Sequence, residues 1–239
     1  MITVCKFGPA YGLPTASPYG LKLETWLRMS DIPYDTEVVT RTVNSPKQTI
    51  PYIREDGELL ADTGFIIEHL IEQYGDRLDA RLSPQQRAIG HMARRTLEES
   101  LTRVLAWTRW MTDENWPVTR EQAFGKIPEQ YRDKIATVAR EGFEEVMRRS
   151  GIGRHSQSEI QSLGLADIRA IETLLGGQPY LLGDEPAGVD ASGFGVLAQY
   201  ILTPLECAVS DYARASDTLS QYVSRMKARF FPEYVSAVQ

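Results

Sequence analysis

SPYGLKLETWLR, residues 17–28, carries the start of a helix in its own composition. Serine followed by proline is the pattern of an N-cap with proline at the first helical position. Leu23, Trp26 and Leu27 then recur at i, i+3 and i+4, so residues 18–29 are expected to form an amphipathic helix. Upstream, residues 2–7 (ITVCKF) are short and β-rich, and Gly8-Pro9 ends them, which reads as a first strand. The residues between, 8–16, carry Gly, Pro, Tyr and Thr and suit an irregular loop.

Working outward, Tyr34–Val39 alternates loosely and reads as a strand. Ile50-Pro51-Tyr52-Ile53 is a short apolar run, and Asp56-Gly57 is a hairpin turn signal before Glu58-Leu59-Leu60. Helical periodicity returns at Phe65, Ile66, Leu70 and Tyr74. The order strand, helix, strand, hairpin, helix within residues 1–75 is that of a thioredoxin-like α/β unit. Past residue 75 the strand signals fade, and the segment to Leu82 reads as a linker. Ser83-Pro84-Gln85-Gln86 is a capping box opening a long helix that Trp107, Trp110 and Met111 end, and Ser156–Glu159 is a second box. Residues 189–202 are apolar or small almost all round, so that helix is expected to be central and buried. Residues 211–229 read as one last amphipathic helix. The expected fold class is therefore an α/β thioredoxin-like N-terminal domain (1–75) plus an all-α C-terminal domain (83–239).

Composition narrows the function. The 239 residues carry a net charge of −6, the wrong sign for general nucleic-acid binding. The two cysteines, Cys5 and Cys207, form no CxxC or zinc spacing, so a reducing compartment fits and a cytoplasmic location is expected. His69, His91 and His155 are too scattered for a metal site, so no metal is expected. No signal-peptide pattern and no run of about 18 apolar residues stands out, so neither secretion nor a membrane span is expected.

Three places carry chemistry. Ser17 sits at a helix start, where unpaired N–H groups and the helix dipole favour an anion. It reads either as a plain cap or as a hydroxyl that helps hold a thiolate. Lowering a thiol pKa by two units needs about 2.7 kcal/mol, within reach of a hydroxyl plus a helix terminus. Pro51, at a strand edge, is a candidate cis bond beside backbone groups of Ile50 that an extended peptide could pair with. Asp62 and Thr63 precede a helix; they read as caps, or as a pair in which Asp62 takes an ammonium and Thr63 a carboxylate. Lys47 reads as a solvated lysine or as the partner of a second ligand carboxylate. Trp107, Trp110 and Met111 fit either a core face or the wall of an apolar substrate pocket.

The stretches SPYGLKLETWLR, NSPKQTIPYI and GELLADTGFIIEHL resemble the N-terminal domain of glutathione transferases. Within that superfamily the chain is most similar to the failed-axon-connections and metaxin-like branch and its bacterial relatives. GIGRHSQSEIQSLGLADI and LLGDEPAGVDASGFGVLAQ extend the likeness to the helical half. The resemblance implies that Ser17 addresses the sulfur of glutathione. It makes Pro51 the cis-proline with Ile50 beside it, and Asp62 and Thr63 the holders of the γ-glutamyl end. It makes Asp190 a folding element. Tyr11 and Tyr19 are then candidates, with the two tryptophans and Met111, to line the pocket for a small hydrophobic electrophile. The branch often has cysteine where this chain has Gly20, so disulfide exchange by a protein thiol there is not expected. Ala187 replaces a usual capping hydroxyl, which is expected to cost about 1 kcal/mol locally, with Gly188 and Asp190 taking over the helix start. Glutathione is the expected co-substrate and a homodimer the expected assembly. The competing expectations are a non-catalytic glutathione-transferase-like binding or scaffold protein, and an import receptor of the metaxin kind. The polar C-terminal stretch RFFPEYVSAVQ argues against the latter.

Overall fold

The structure is a computed structural model that describes residues 1–40, 42–43 and 45–234. The last five residues of the polar C-terminal stretch, 235–239, lie outside these. The first 75 residues form β1 (Ile2–Lys6), α1 (Pro18–Met29), β2 (Tyr34–Val38), β3 (Tyr52–Glu55), β4 (Glu58–Ala61) and α2 (Thr63–Tyr74). The sheet order is β2-β1-β3-β4. β1 and β2 run parallel with Val4 opposite Thr36, as a crossover through a helix demands. β3 is antiparallel to both neighbours, with Tyr52 opposite Cys5 on one side and Ala61 on the other. This is the thioredoxin-like arrangement.

The remainder is helical: α3 (Pro84–Arg95), α4 (Thr102–Met111), α5 (Trp116–Phe124), α6 (Glu129–Arg149), α7 (Gln157–Leu175), α8 (Gly188–Ile201), α9 (Ala208–Ala215) and α10 (Asp217–Phe230). Both expected capping boxes form, at Ser83 with Gln86 and at Ser156 with Glu159. The long helix is less regular than its periodicity suggests, because a π-helical stretch, Thr96–Leu101, joins α3 to α4. Such widened turns recur at functional sites. The helices at 116–124 and 129–149 carried no sequence signal singled out above. The expected single helix over 211–229 is two. Ser216 takes an extended backbone (φ −81°, ψ 113°), and its hydroxyl caps α10 by accepting from the Leu219 N–H.

α8 is the axis of the molecule. Its residues from Val189 to Tyr200 are all buried. Ala191 joins the core of the first domain with Val4, Leu23, Trp26 and Ile66, while Phe194, Leu197 and Tyr200 join the helical core. α1 lies along α8 so closely that a Cβ on Gly195 would come within 2.7 Å of the Pro18 carbonyl oxygen, so only glycine fits. Ala187 offers no side-chain acceptor at the start of α8, and two carboxylates bind N–H groups there instead. Asp190 accepts from the Ala187 and Leu181 N–H groups at 2.8 and 2.9 Å and from the Tyr222 hydroxyl at 3.0 Å. Asp79, from the linker, accepts from the Gly188 N–H at 2.7 Å. The helix start thus draws on Asp190, as expected, and on Asp79, a partner from the linker that the sequence did not point to.

Candidate functional site

Ser17 adopts an extended backbone (φ −89°, ψ 125°), and its Oγ accepts from the Gly20 N–H at 3.3 Å. The hydroxyl is used as an acceptor. No acceptor for its own proton occurs among the described residues, so that O–H is available to an anion at the end of α1. Gly20 has a steric reason of its own. A Cβ there would lie 3.0 Å from Thr15 Cγ2 and 3.2 Å from its Oγ1, so a cysteine at this position would be crowded.

The Ile50–Pro51 bond is cis. Pro51 is buried and follows directly beyond the Tyr52–Ala61 pair, so it stands level with Asp62 across the ladder. Neither the N–H nor the C=O of half-buried Ile50 has a hydrogen bond among the described residues. Asp62 is the N-cap of α2, exposed, with φ 77°, and its Oδ1 accepts from the Gly64 N–H at 2.8 Å. Lys47 is also in the left-handed region (φ 59°). Its Nζ lies 4.1 Å from the centre of the Phe65 ring and 3.4 Å from the Ala61 carbonyl oxygen, so it is drawn toward the start of α2.

Residues that sequence reasoning passed over tie these pieces together. Buried Thr63 accepts a hydrogen bond at 2.9 Å from Nζ of Lys22, one turn into α1. That ammonium pairs with Glu98, in the π-helical stretch, at 2.7 Å. Ser192 of α8 donates to the same carboxylate at 2.5 Å, and the Tyr19 hydroxyl donates to the Glu98 backbone carbonyl at 2.7 Å. Burial pulls the Lys22 pKa down, and Glu98 opposes it. Burial first, then Glu98, pushes the Tyr19 phenol up to about 12, so it stays a protonated donor. With Lys22 donating into the Thr63 oxygen, the Thr63 proton is left to point elsewhere, toward any carboxylate at the α2 terminus. Arg94 is close by, since a Cβ on Gly64 would lie 3.8 Å from its Nη1.

The residues expected to line an apolar pocket divide. Trp107 and Met111 border a cleft of about 460 Å³ that also involves Trp116, Thr137, Arg140 and Met147. Trp110 instead stacks on Phe143, with centroids 4.1 Å apart and planes 5° from parallel. Tyr19 is held by Glu98, as described. Tyr11 forms a tight turn with Gly12 (φ 55° and 70°), closed by the Ala10–Leu13 bridge. Its ring lies 4.9 Å from the guanidinium carbon of Arg109. Among the described residues no cluster of His, Cys, Asp and Glu could hold a metal ion.

A four-stranded thioredoxin-like sheet with a cis-proline beside two helix N-termini, followed by an all-helical domain, defines the glutathione transferase fold. A model of the glutathione S-transferase N-terminal domain matches residues 18–115, and one of the C-terminal domain matches residues 164–226. The chain is 32% identical to Failed axon connections of Drosophila melanogaster over 98% of its own length and 59% of that protein's. It is 31% identical to isoprene-epoxide–glutathione S-transferase of Rhodococcus sp. (strain AD45), over 96% of its own length and 99% of that protein's. Among solved structures, beta-etherase LigF of Sphingobium sp. strain SYK-6 superposes with a TM-score of 0.68 at 16% identity, over 98% of each chain. The chain belongs to the glutathione S-transferase superfamily. No helix among the described residues is long and apolar enough to cross a membrane.

Proposed function

We propose that the protein binds glutathione across its first domain and holds the sulfur as a thiolate at Ser17 for attack on a small electrophile. The observation that carries this reading is the Lys22–Thr63 hydrogen bond, which joins the α1 and α2 N-termini beside the cis Pro51. The γ-glutamyl carboxylate would meet the Thr63 hydroxyl and the α2 N–H groups, and its ammonium would meet exposed Asp62. The backbone groups of Ile50, which pair with nothing among the described residues, would take the cysteinyl residue. Lys47 would reach the glycyl carboxylate once released from the Phe65 ring. Ser17 then acts as a hydrogen-bond donor to the thiolate, neither a general base nor a covalent nucleophile.

The relative from Rhodococcus makes a small epoxide the first electrophile to try. Attack of the thiolate on a ring carbon would break the C–O bond, and the alkoxide would take a proton from solvent. We place the protein in the cytoplasm as a homodimer. A second reading, a binding or scaffold protein without turnover, draws support from the cleft at Trp107 and Met111. Among the described residues its walls come from the helical domain alone.

Calorimetric titration with millimolar glutathione separates the readings, followed by assay of conjugation to a short-chain epoxide. Binding with turnover is the expected result. Binding without turnover would favour the scaffold, and no heat at all would remove the glutathione reading.

A further inference from the structure

Arg109, on α4, is a buried cation without a counter-ion among the described residues. Its residue is 8% exposed, and the guanidinium donates to the Ala16 carbonyl at 3.1 Å and to Oε1 of Gln199 at 2.8 Å. Its face is covered by the Tyr11 ring. All three partners are neutral, and among the described residues no carboxylate forms an ion pair with it. The titratable groups facing it are phenols: Tyr11 from the first loop and Tyr200 from α8, whose hydroxyl donates to the Leu101 carbonyl. Gln199 is fully buried, and its Nε2 has no hydrogen-bond partner among the described residues. Burying a charge with no opposite charge is strongly unfavourable, and a chain has many ways to avoid it.

Position gives this charge a use. Ala16 is the residue before Ser17, and Gln199 lies one turn beyond Gly195, the residue that α1 packs against at Pro18. The guanidinium therefore sits beneath the start of α1, where its field adds to the helix dipole. We infer that Arg109 is a positioning residue whose uncompensated charge makes the Ser17 end of α1 an anion site for a thiolate sulfur. The inference rests on Ser17 as the group that addresses a thiol. It deepens that reading by supplying the missing cation from the helical domain.

The test places a reporter sulfur at the site in the full chain. In Ser17→Cys the thiol pKa is read from the pH dependence of iodoacetamide alkylation. The readout is the mass of the peptide carrying residue 17, so Cys5 and Cys207 do not contribute. A nearby cation favours the thiolate, so the pKa is expected below the ordinary thiol value of about 8.5. Adding Arg109→Gln removes the charge and is expected to raise the pKa by about one unit, while Arg109→Lys keeps it within a few tenths. Should Arg109→Gln not fold, Gln199→Glu is nearly isosteric and gives the guanidinium a counter-charge. It is expected to raise the pKa by a similar amount without lowering the thermal midpoint. An unchanged thiol pKa in folded Gln199→Glu overturns the inference. Because the reporter needs no glutathione, a wild-type protein that fails to bind glutathione would defeat the transferase reading while this measurement still decides the role of Arg109.

Discussion

Lys22 Nζ and Glu98 Oε1 meet at 2.7 Å across the seam between the thioredoxin-like domain and the helices, both buried. The pair is the hinge of the site's electrostatics. The same ammonium donates to Thr63, and the same carboxylate accepts from Ser192. Removing one partner of a buried ion pair leaves the other uncompensated and typically costs about 3–5 kcal/mol. Lys22→Met is therefore expected to lose that much in urea unfolding. Lys22→Met combined with Glu98→Leu should lose clearly less than the sum of the single losses. Additive losses would mean that the two groups do not interact.

Ser17→Ala removes both a cap and a hydrogen-bond donor. The cap is worth about 1 kcal/mol, so a modest fall in stability is expected. Loss of the donor destabilises a bound thiolate, so the thiol pKa of bound glutathione should rise. Ultraviolet absorbance of the thiolate across a pH series measures it. An identical titration in both proteins would leave Ser17 with capping alone.

Asp62→Asn separates charge from capping. Asparagine can still accept from the Gly64 N–H and tolerates the positive φ of this position. The thermal midpoint should hold, while glutathione affinity falls roughly tenfold through loss of about 1.4 kcal/mol of attraction to the γ-glutamyl ammonium. A midpoint collapse with normal affinity would contradict the assignment of Asp62 as a ligand group.

Asp190 predicts a pH dependence of stability. Burial is the largest influence on it and pushes its pKa up to about 6, against hydrogen bonds from Leu181, Ala187 and Tyr222 that pull it down. Because the folded value lies above the unfolded one, the folded state binds more protons between the two. The contribution of Asp190 thus favours folding below about pH 4 and is lost as pH rises through about 6. The difference in thermal midpoint between wild type and Asp190→Asn, followed from pH 4 to pH 7, should move against the wild type. A constant difference would show that the carboxyl titrates alike in both states.

Helix starts were the most legible part of the chain. Ser17-Pro18, Ser83 with Gln86 and Ser156 with Glu159 all cap helices where their spacing placed them. The succession of strands and helices along the first domain and the buried helix near 189–202 followed from alternation and from apolar residues on every side, whereas the order of the strands within the sheet came only from the structure. Two things misled. The apolar period over 211–229 continues through Ser216, whose cap divides it. The highly charged α6 buries only Ala136 and Met147, so few apolar residues mark its inner face.

What the sequence determined alone are features whose cause lies within a turn or two: a hydroxyl three residues from an amide, or apolar residues at helical period. Residue identity decides these because the partner is a near neighbour. The tertiary structure alone decided that Lys22 finds Thr63, 41 residues away, and that Arg109 finds Ala16, 93 residues away. A charged side chain in a sequence reads as solvated until packing shows that water is excluded around it. Burial, which turns a lysine into a bridge and an arginine into an unneutralised field, is a property of the assembled core.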